Sequence, residues 1–393
     1  MPTAMTSLCP AGGALAFRIW LTWSLALLMV VLPAERTPTE SALQASSAEV
    51  ASSGSGYELA SRIEFNGGAI VDLAAADAGS LLVLAGMPSG FSIFRLSESG
   101  ECQKFVSAGY LASLLGEEAK AQDWELHFDP ATSMLVLLPR REGRLLVLDA
   151  SDAPRLKRYR MGLPVHFRPG ALAFLPGGGL LLYSGSFLPG ASRAQLILFD
   201  PGKLSLTPVQ LERPLSIILR LHPVDAGRAV ALGYFTAEDA IASPMLATVR
   251  LEDGKVELWP ESGGALLLAG AGPLLGVVRR RRTEVIPADC PGAAYELAVL
   301  DAGGRLAAGT RAVPVFIKPR DLVIGADAHF ALILVSQPGG FSDLWLVDLR
   351  SQRKELVEQQ VMLAGMMAGG NGFYLVPAGE NAVRFYRLRT EGE

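Results

Sequence analysis

An all-β fold is the expectation for this chain: a seven-bladed β-propeller of four-stranded antiparallel blades, closed by an N-terminal strand that completes the last blade. Three features of the sequence carry it. An apolar run ending in Asp or Arg recurs with its mark at positions 95, 149, 200, 250, 301, 348 and 387, at intervals of 54, 51, 50, 51, 47 and 39 residues. A period of roughly 40–50 residues is that of a four-stranded blade. Breakers such as Pro176-Gly-Gly-Gly179, Asp301-Ala-Gly-Gly304 and Ala368-Gly-Gly-Asn371 hold the apolar runs to strand length. The last repeat stops at Arg389, one strand short, while Tyr57-Glu-Leu-Ala-Ser-Arg-Ile-Glu-Phe65 is left over before the first. An unpaired edge is a pairing hazard. Residues 57–65 are therefore expected beside Val383–Leu388.

The chain has 393 residues, of which 50% are hydrophobic and 19% charged, with a mean hydropathy of +0.31. A disordered chain needs the opposite balance. The 42 glycines and 25 prolines mark a turn-rich chain with no collagen period. A formal charge of −4 leaves no basic field for nucleic acid.

Arg18 precedes the apolar run Ile19–Leu32, which is followed by Pro33-Ala34. Fourteen helical residues rise about 21 Å, short of a hydrocarbon core of about 30 Å. Residues 1–34 thus read as a secretory signal peptide. Cleavage after Ala34 and retention as a signal anchor, with Ala14–Phe17 extending the helix, both stay open. Cys9 precedes the apolar run, so it is not a lipoprotein acylation site. Residues 35–56 are a Ser/Thr/Ala-rich linker, and residues 57–393 the propeller. The expected location is periplasmic, extracellular, or membrane-anchored facing outside the cytoplasm. Loss of residues 1–34 removes one cation and no acid, leaving −5. Cys102 and Cys290 then fall in non-adjacent units, so stability must come from a core.

Within each unit the second strand is almost wholly apolar, as in Ser80–Leu84 and Met134–Leu138. Strands covered on both faces read that way. Outer strands carry charge, as in Arg155–Arg160, because their edge meets water. In the sixth unit the four strands are expected at Asp321–Ile324, Phe330–Val335, Asp343–Leu349 and Lys354–Val357. Gly264–Val278 before Arg279–Arg282 looks like a membrane span with a stop signal. It is only fifteen residues long, holds Gly270, Gly272, Pro273 and Gly276, and falls in register with the repeat, so it reads as strands.

The connections are unequal. First-to-second and third-to-fourth turns are short, as at Asp129-Pro130, Asp200–Lys203, Glu252–Lys255 and Gly325–Asp327. Second-to-third connections are long, as at Ser184–Ala194, Tyr234–Met245 and Arg280–Ala294, and the inter-blade segment Tyr110–Asp123 has helical spacing. Long loops on a rigid scaffold are where binding resides. Cations collect there: Arg140, Arg141, Arg193, Arg279, Arg280, Arg281 and Arg282 at second-to-third connections, and His166, Arg168, Lys318 and Arg320 between blades. Such a rim can hold a carboxylate, phosphate or sulfated glycan through bidentate contacts. The alternative is ordinary solvated charge, balanced by acids such as Glu117, Glu142 and Glu284.

Catalytic motifs are absent. His127, His166, His222 and His329 show no metal-ligand spacing, and no Gly-x-Ser-x-Gly elbow or Walker loop occurs. No metal or cofactor is expected. His222 and His329 fall in what read as short turns on the opposite face. Asp72, Glu125 and His127 lie on inner strands, where they could face the channel. The expectation is a non-enzymatic binding or scaffolding module gripping a protein or glycan, touching a membrane only through its N-terminal anchor. The alternative is a propeller enzyme, either a lactone- or sugar-directed hydrolase or lyase or a cofactor-dependent oxidoreductase, with its site at the channel mouth. Several polar groups converging on the inner strands would favour the enzyme.

The unit Asn371-Gly-Phe-Tyr-Leu-Val-Pro-Ala-Gly-Glu-Asn-Ala-Val-Arg-Phe-Tyr-Arg-Leu388 resembles the YVTN-type repeat of the lactonase-like seven-bladed propeller group. Asp129-Pro-Ala-Thr-Ser-Met-Leu-Val-Leu137 is similar to that group's Asp-Pro turn. The resemblance implies the fold and an exported protein. No lactonase active-site motif matches, so it implies no catalytic residues. No Gly-His or Trp-Asp signature of WD40 repeats is present.

Overall fold

The computed structural model describes residues 56–389 except 89, 117–118, 141–144, 151–156, 161–168, 185–194, 204, 213–214, 236–243, 260–261, 263, 281–294, 309, 316–318, 326–327 and 338. The segments expected as signal (1–34) and linker (35–56, apart from Gly56) and most of the long connections expected between second and third strands lie outside the described residues. Strand β1 (Tyr57–Glu64) comes first. The first four-stranded sheet follows, with β2 (Ala69–Ala75), β3 (Ser80–Met87), β4 (Gly90–Ser97) and β5 (Cys102–Val106) in sequence order. Helix α1 (Ala108–Leu115) begins at Ser107, whose Oγ accepts from Tyr110 N, and buries Leu111 and Leu114, as its spacing requires. The second sheet is β6 (Trp124–Asp129), β7 (Met134–Pro139), β8 (Leu146–Asp149) and β9 (Lys157–Arg160). The third is β10 (Pro169–Phe174), β11 (Leu180–Ser184), β12 (Gln195–Asp200) and β13 (Ser205–Val209). The fourth is β14 (Leu215–Asp225), β15 (Arg228–Phe235), β16 (Met245–Arg250) and β17 (Val256–Leu258). The fifth is β18 (Ala265–Ala271), β19 (Leu274–Arg280), β20 (Tyr295–Leu300) and β21 (Val313–Val315). The span-like segment is therefore the hairpin β18–β19.

A seven-stranded sheet ends the chain. It holds β22 (Pro319–Ile324), β23 (Phe330–Ser336), β24 (Ser342–Asp348), β25 (Lys354–Met366), β26 (Gly372–Pro377) and β27 (Ala382–Leu388), with β1 on the outside of β27. The short strand expected at Lys354–Val357 is instead the start of thirteen-residue β25. No Gly or Pro interrupts Glu358-Gln-Gln-Val361, so the chain stays extended and only shifts register, with Gln360 at φ 54°. Its first half pairs with β24 and its second half with β26.

Alternation along the second strands shows why they are apolar throughout. On β3, Leu82 and Leu84 pack with Leu135 and Leu137 of β7, while Leu81, Val83 and Ala85 pack with Val376, Val383 and Phe385. Successive side chains of a strand point to opposite faces, and here both faces meet a neighbouring sheet. Each such Leu or Val contributes about 1.5–3 kcal/mol by leaving water. Among the described residues, clusters of this kind join the first sheet to the second, second to third, third to fourth, fourth to fifth and fifth to the β22–β24 region. Two more join the two halves of the seven-stranded sheet, and its β26–β27 half to the first sheet.

The recurring Asp that marks the repeat is a turn cap. Asp200 Oδ1 accepts from Gly202 N and Lys203 N, Asp301 Oδ1 from Gly303 N and Arg305 N, and Asp348 Oδ1 from Arg350 N and Ser351 N. An aspartate binding its own backbone two residues on is the chemistry of a tight turn.

β1 runs antiparallel to β27 from Tyr57 opposite Leu388 to Glu64 opposite Ala382. This is the pairing expected of residues 57–65. Tyr57 sits edge-on to Phe373 and Tyr386, both at 5.7 Å between ring centres. Asn381 locks the turn from β1 into β2: its Oδ1 accepts from Ile70 N at 3.1 Å, and its Nδ2 donates to the carbonyls of Phe65 and Gly68. Asn381→Ala strands those groups and should cost about 1–3 kcal/mol. Thermal unfolding is expected to start several degrees lower; an unchanged midpoint would deny the clamp its role.

Candidate binding site on the inner strands

On β6, Trp124 and Leu126 are buried while Glu125 and His127 alternate with them and turn away from the core. Asp72 follows a register break in β2 and ties the first sheet to the second. Its Oδ2 accepts from Leu126 N at 2.8 Å and its Oδ1 from Leu73 N at 2.9 Å. At the end of β7, Arg140 donates from Nε to Trp124 O at 3.2 Å, and its Nη1 lies 3.7 Å from Glu125 Oε1. His127 Nε2 is 3.6 Å from Glu125 Oε2, too long for a direct hydrogen bond. That nitrogen is buried and has no hydrogen-bond partner among the described residues.

The cluster extends across sheets that are not neighbours. Arg220, at a register break in β14, lies with Nη2 3.4 Å from Asp321 Oδ1 on β22. Asp321 Oδ1 also accepts from Leu322 N at 3.0 Å, a counterpart of the Asp72–Leu73 bond on β2. His127 beside it, then Arg140 and Arg220, hold the Glu125 carboxyl below the ordinary carboxylate range despite burial. Burial does the reverse to Asp72, raising its carboxyl against the pull of two backbone N–H groups, His127 and Arg140. The stability Glu125 contributes is complete above the unfolded carboxylate range and is lost as pH falls through its depressed value. Charged Asp72 opposes folding at neutral pH, and that cost is relieved as pH falls through its raised value. The two carboxyls are thus shifted in opposite directions by their surroundings.

Of the cations singled out in the sequence, the structure brings Arg140 to this cluster. Arg279 and Arg280, expected in a loop, are instead the last residues of β19, because the ladder runs on through Arg279 opposite Glu296 and Arg280 opposite Tyr295. Arg279 Nε donates to Glu296 Oε1 at 2.7 Å. Arg320, expected between blades, lies within β22, where its Nη1 donates to Ser342 Oγ at 3.3 Å. Arg141, His166, Arg168, Arg193, Arg281, Arg282 and Lys318 lie outside the described residues. His222, read as a turn residue, lies within β14; its ring rests on Gly270 and its Nε2 is 2.8 Å from Gly272 O. Cys102 is a free, exposed thiol on β5. Sequence reasoning missed Arg220 and passed over Asp321; the usable signal was a lone charge inside an apolar inner strand, as in Ile218-Leu-Arg-Leu221. Among the described residues no three His, Cys, Asp or Glu side chains form a metal-ligand group, and no helix is long and apolar enough to cross a membrane.

No protein-family model matches the chain, and no curated protein matches it. Solved structures do. An oligogalacturonate lyase from Vibrio parahaemolyticus superposes with a TM-score of 0.58 at 10% identity, covering 83% of this chain and 91% of its own. An oligogalacturonate lyase in complex with manganese gives 0.56 at 9% identity, covering 82% and 90%. Hydrazine synthase from Kuenenia stuttgartiensis gives 0.53 at 11%, covering 84% and 98%. At such identities the likeness shows the fold alone, a β-propeller.

Proposed function

We propose that the chain is an exported seven-bladed β-propeller that binds a polar glycan at the axial end of its inner strands. In this reading β25 serves two blades, as the outer strand of the sixth and the inner strand of the seventh, and β1 supplies the seventh blade's fourth strand. The cyclic succession of hydrophobic clusters supports that count. The kinship with the YVTN-like group, the signal at residues 1–34 and the linker at 35–56 belong to the same reading. One observation carries the site. Arg220 reaches from the fourth sheet to Asp321 on the seven-stranded sheet, past the fifth sheet between them. Side chains of non-adjacent sheets can meet only around a common axis. The part-exposed carboxyl of Glu125 and guanidinium of Arg220 offer glycan hydroxyls their partners. Glu125 is the second residue of β6, close to the end entered from the inter-blade connection, and His127 lies midway along the strand.

A glycan-array screen of the purified full-length chain, followed by titration of the best binder, tests this. Glu125→Gln and Arg220→Gln are each expected to weaken that binder at least tenfold while the unfolding temperature stays within a few degrees. Equal affinity in both variants would overturn the site. A second reading, an enzyme, is favoured by the polar groups gathered on several inner strands, Glu125 with His127 and Arg220 with Asp321. The opposed environments of Asp72 and Glu125 favour it too, and the two lyases among the fold neighbours are compatible with it. New reducing ends, or a new ultraviolet absorbance from an unsaturated sugar, appearing in the bound glycan and vanishing in Glu125→Gln would decide for it.

A further inference from the structure

We propose a second ligand site, for a small ring-bearing organic carboxylate, in the groove of about 800 Å³ between β17 and the β20–β21 turn. Its apolar wall is built on Trp259, directly after β17. The indole Nε1 donates to Thr248 Oγ1 at 2.9 Å. Gly304, at φ +79°, lies against the six-membered ring so closely that a Cβ there would sit 2.9 Å from Cε3. The indole is thus fixed in place before any ligand arrives, which spares a ligand the entropy of ordering it. Leu258, Leu300 and Leu306 line the same groove. Leu306 is 50% exposed, so apolar surface lies open beside the indole.

The charges around this wall are unbalanced toward cations. Arg228, Arg250, Lys255, Arg279 and Arg305 line the groove, against one lining carboxylate, Glu257. Four of the five have partners: Arg228 with Asp225, Arg250 with Asp253, Lys255 with Glu257 and Arg279 with Glu296. Arg305 has no carboxylate partner among the described residues, and its backbone is held by Asp301 in a tight turn. A guanidinium on a fixed backbone presents two parallel N–H donors to one carboxylate. One unpaired cation beside one preset aromatic face defines the ligand: a single carboxylate on a ring, not a long polyanion. The volume falls in the range of roughly 300–1,000 Å³ that small-molecule sites occupy. The exposed pairs at Arg228 and Arg250 are worth only about 0–1 kcal/mol, so a second anionic group can recruit them. This groove is separate from the inner-strand cluster, and none of the residues of that cluster lines it.

Isothermal titration of the full chain with phenyl glucuronide and with phenyl glucoside isolates the carboxylate, since the two differ in that group alone. The glucuronide is expected to bind at least tenfold more tightly. Arg305→Gln should erase the difference, and Leu306→Ser should weaken both ligands severalfold, with unfolding temperatures unchanged. Glucuronide binding should also shift tryptophan emission, and Trp259→Phe should abolish that shift. Equal binding of both ligands, binding of neither, or full discrimination retained in Arg305→Gln would each overturn the proposal.

Discussion

A chain from which residues 56–65 are deleted is expected to lose its cooperative unfolding transition and to associate. β1 is held to β27 alone, and it places Tyr57 against Phe373 and Tyr386. Ile63 and Phe65 pack into the cluster that joins the seven-stranded sheet to the first. Buried Phe65 contributes about 1.5–3 kcal/mol and part-buried Tyr57 and Ile63 somewhat less each, together a large share of a domain's net stability. The ion pairs Arg62–Glu380 and Arg389–Glu58 are exposed and add little. Deletion also bares the backbone of β27, an open edge that invites another chain. Circular dichroism should show a broad transition at much lower temperature, and gel filtration should show oligomers. A synthetic peptide spanning residues 56–66 should restore the transition in trans. A deletion variant that melts as a monomer at the original temperature would contradict the assigned role of β1.

Gly254→Ala is expected to be the most damaging single substitution in a turn, on the order of 3 kcal/mol or more. Gly254 has φ +69° in the β16–β17 turn, and an added Cβ would overlap the carbonyl of Gln210. That obstacle is backbone, not the tip of a flexible side chain. The same Gly254 accepts from Glu212 N at 2.9 Å, so the segment after β13 is docked directly on this turn. The control is Gly100→Ala, at φ +92° with nothing within 4 Å, which should cost only about 1 kcal/mol of conformational strain. Urea denaturation of the two variants separates the effects, and comparable midpoints would show that φ alone governs both sites.

How far the fold was legible depends on how local its causes are. The strands were visible because both faces of β3 and β7 are covered, which forces uninterrupted apolar runs. The repeat was visible because Asp200, Asp301 and Asp348 cap turns within a few residues of themselves. Errors arose where a local sign was overruled. Position in the repeat put His222 in a turn, yet β14 runs on through it and carries Pro223 at a register break. The run of four arginines hid the end of β19, where the ladder to Glu296 continues into the charged stretch. Continuity of β25 was invisible because Gln360 adopts positive φ without the glycine that usually announces it. The candidate site was half visible. Glu125, His127 and Asp72 belong to adjacent repeats, whereas the Arg220–Asp321 pair spans 101 residues and exists only once the sheets are arranged.

Arg389 N donates to Gly56 O at 2.9 Å, so the two ends of the folded chain leave from the same corner. A pull applied at Gly56 therefore falls first on an edge strand paired on one side alone, and would peel it before any interior ladder is stressed.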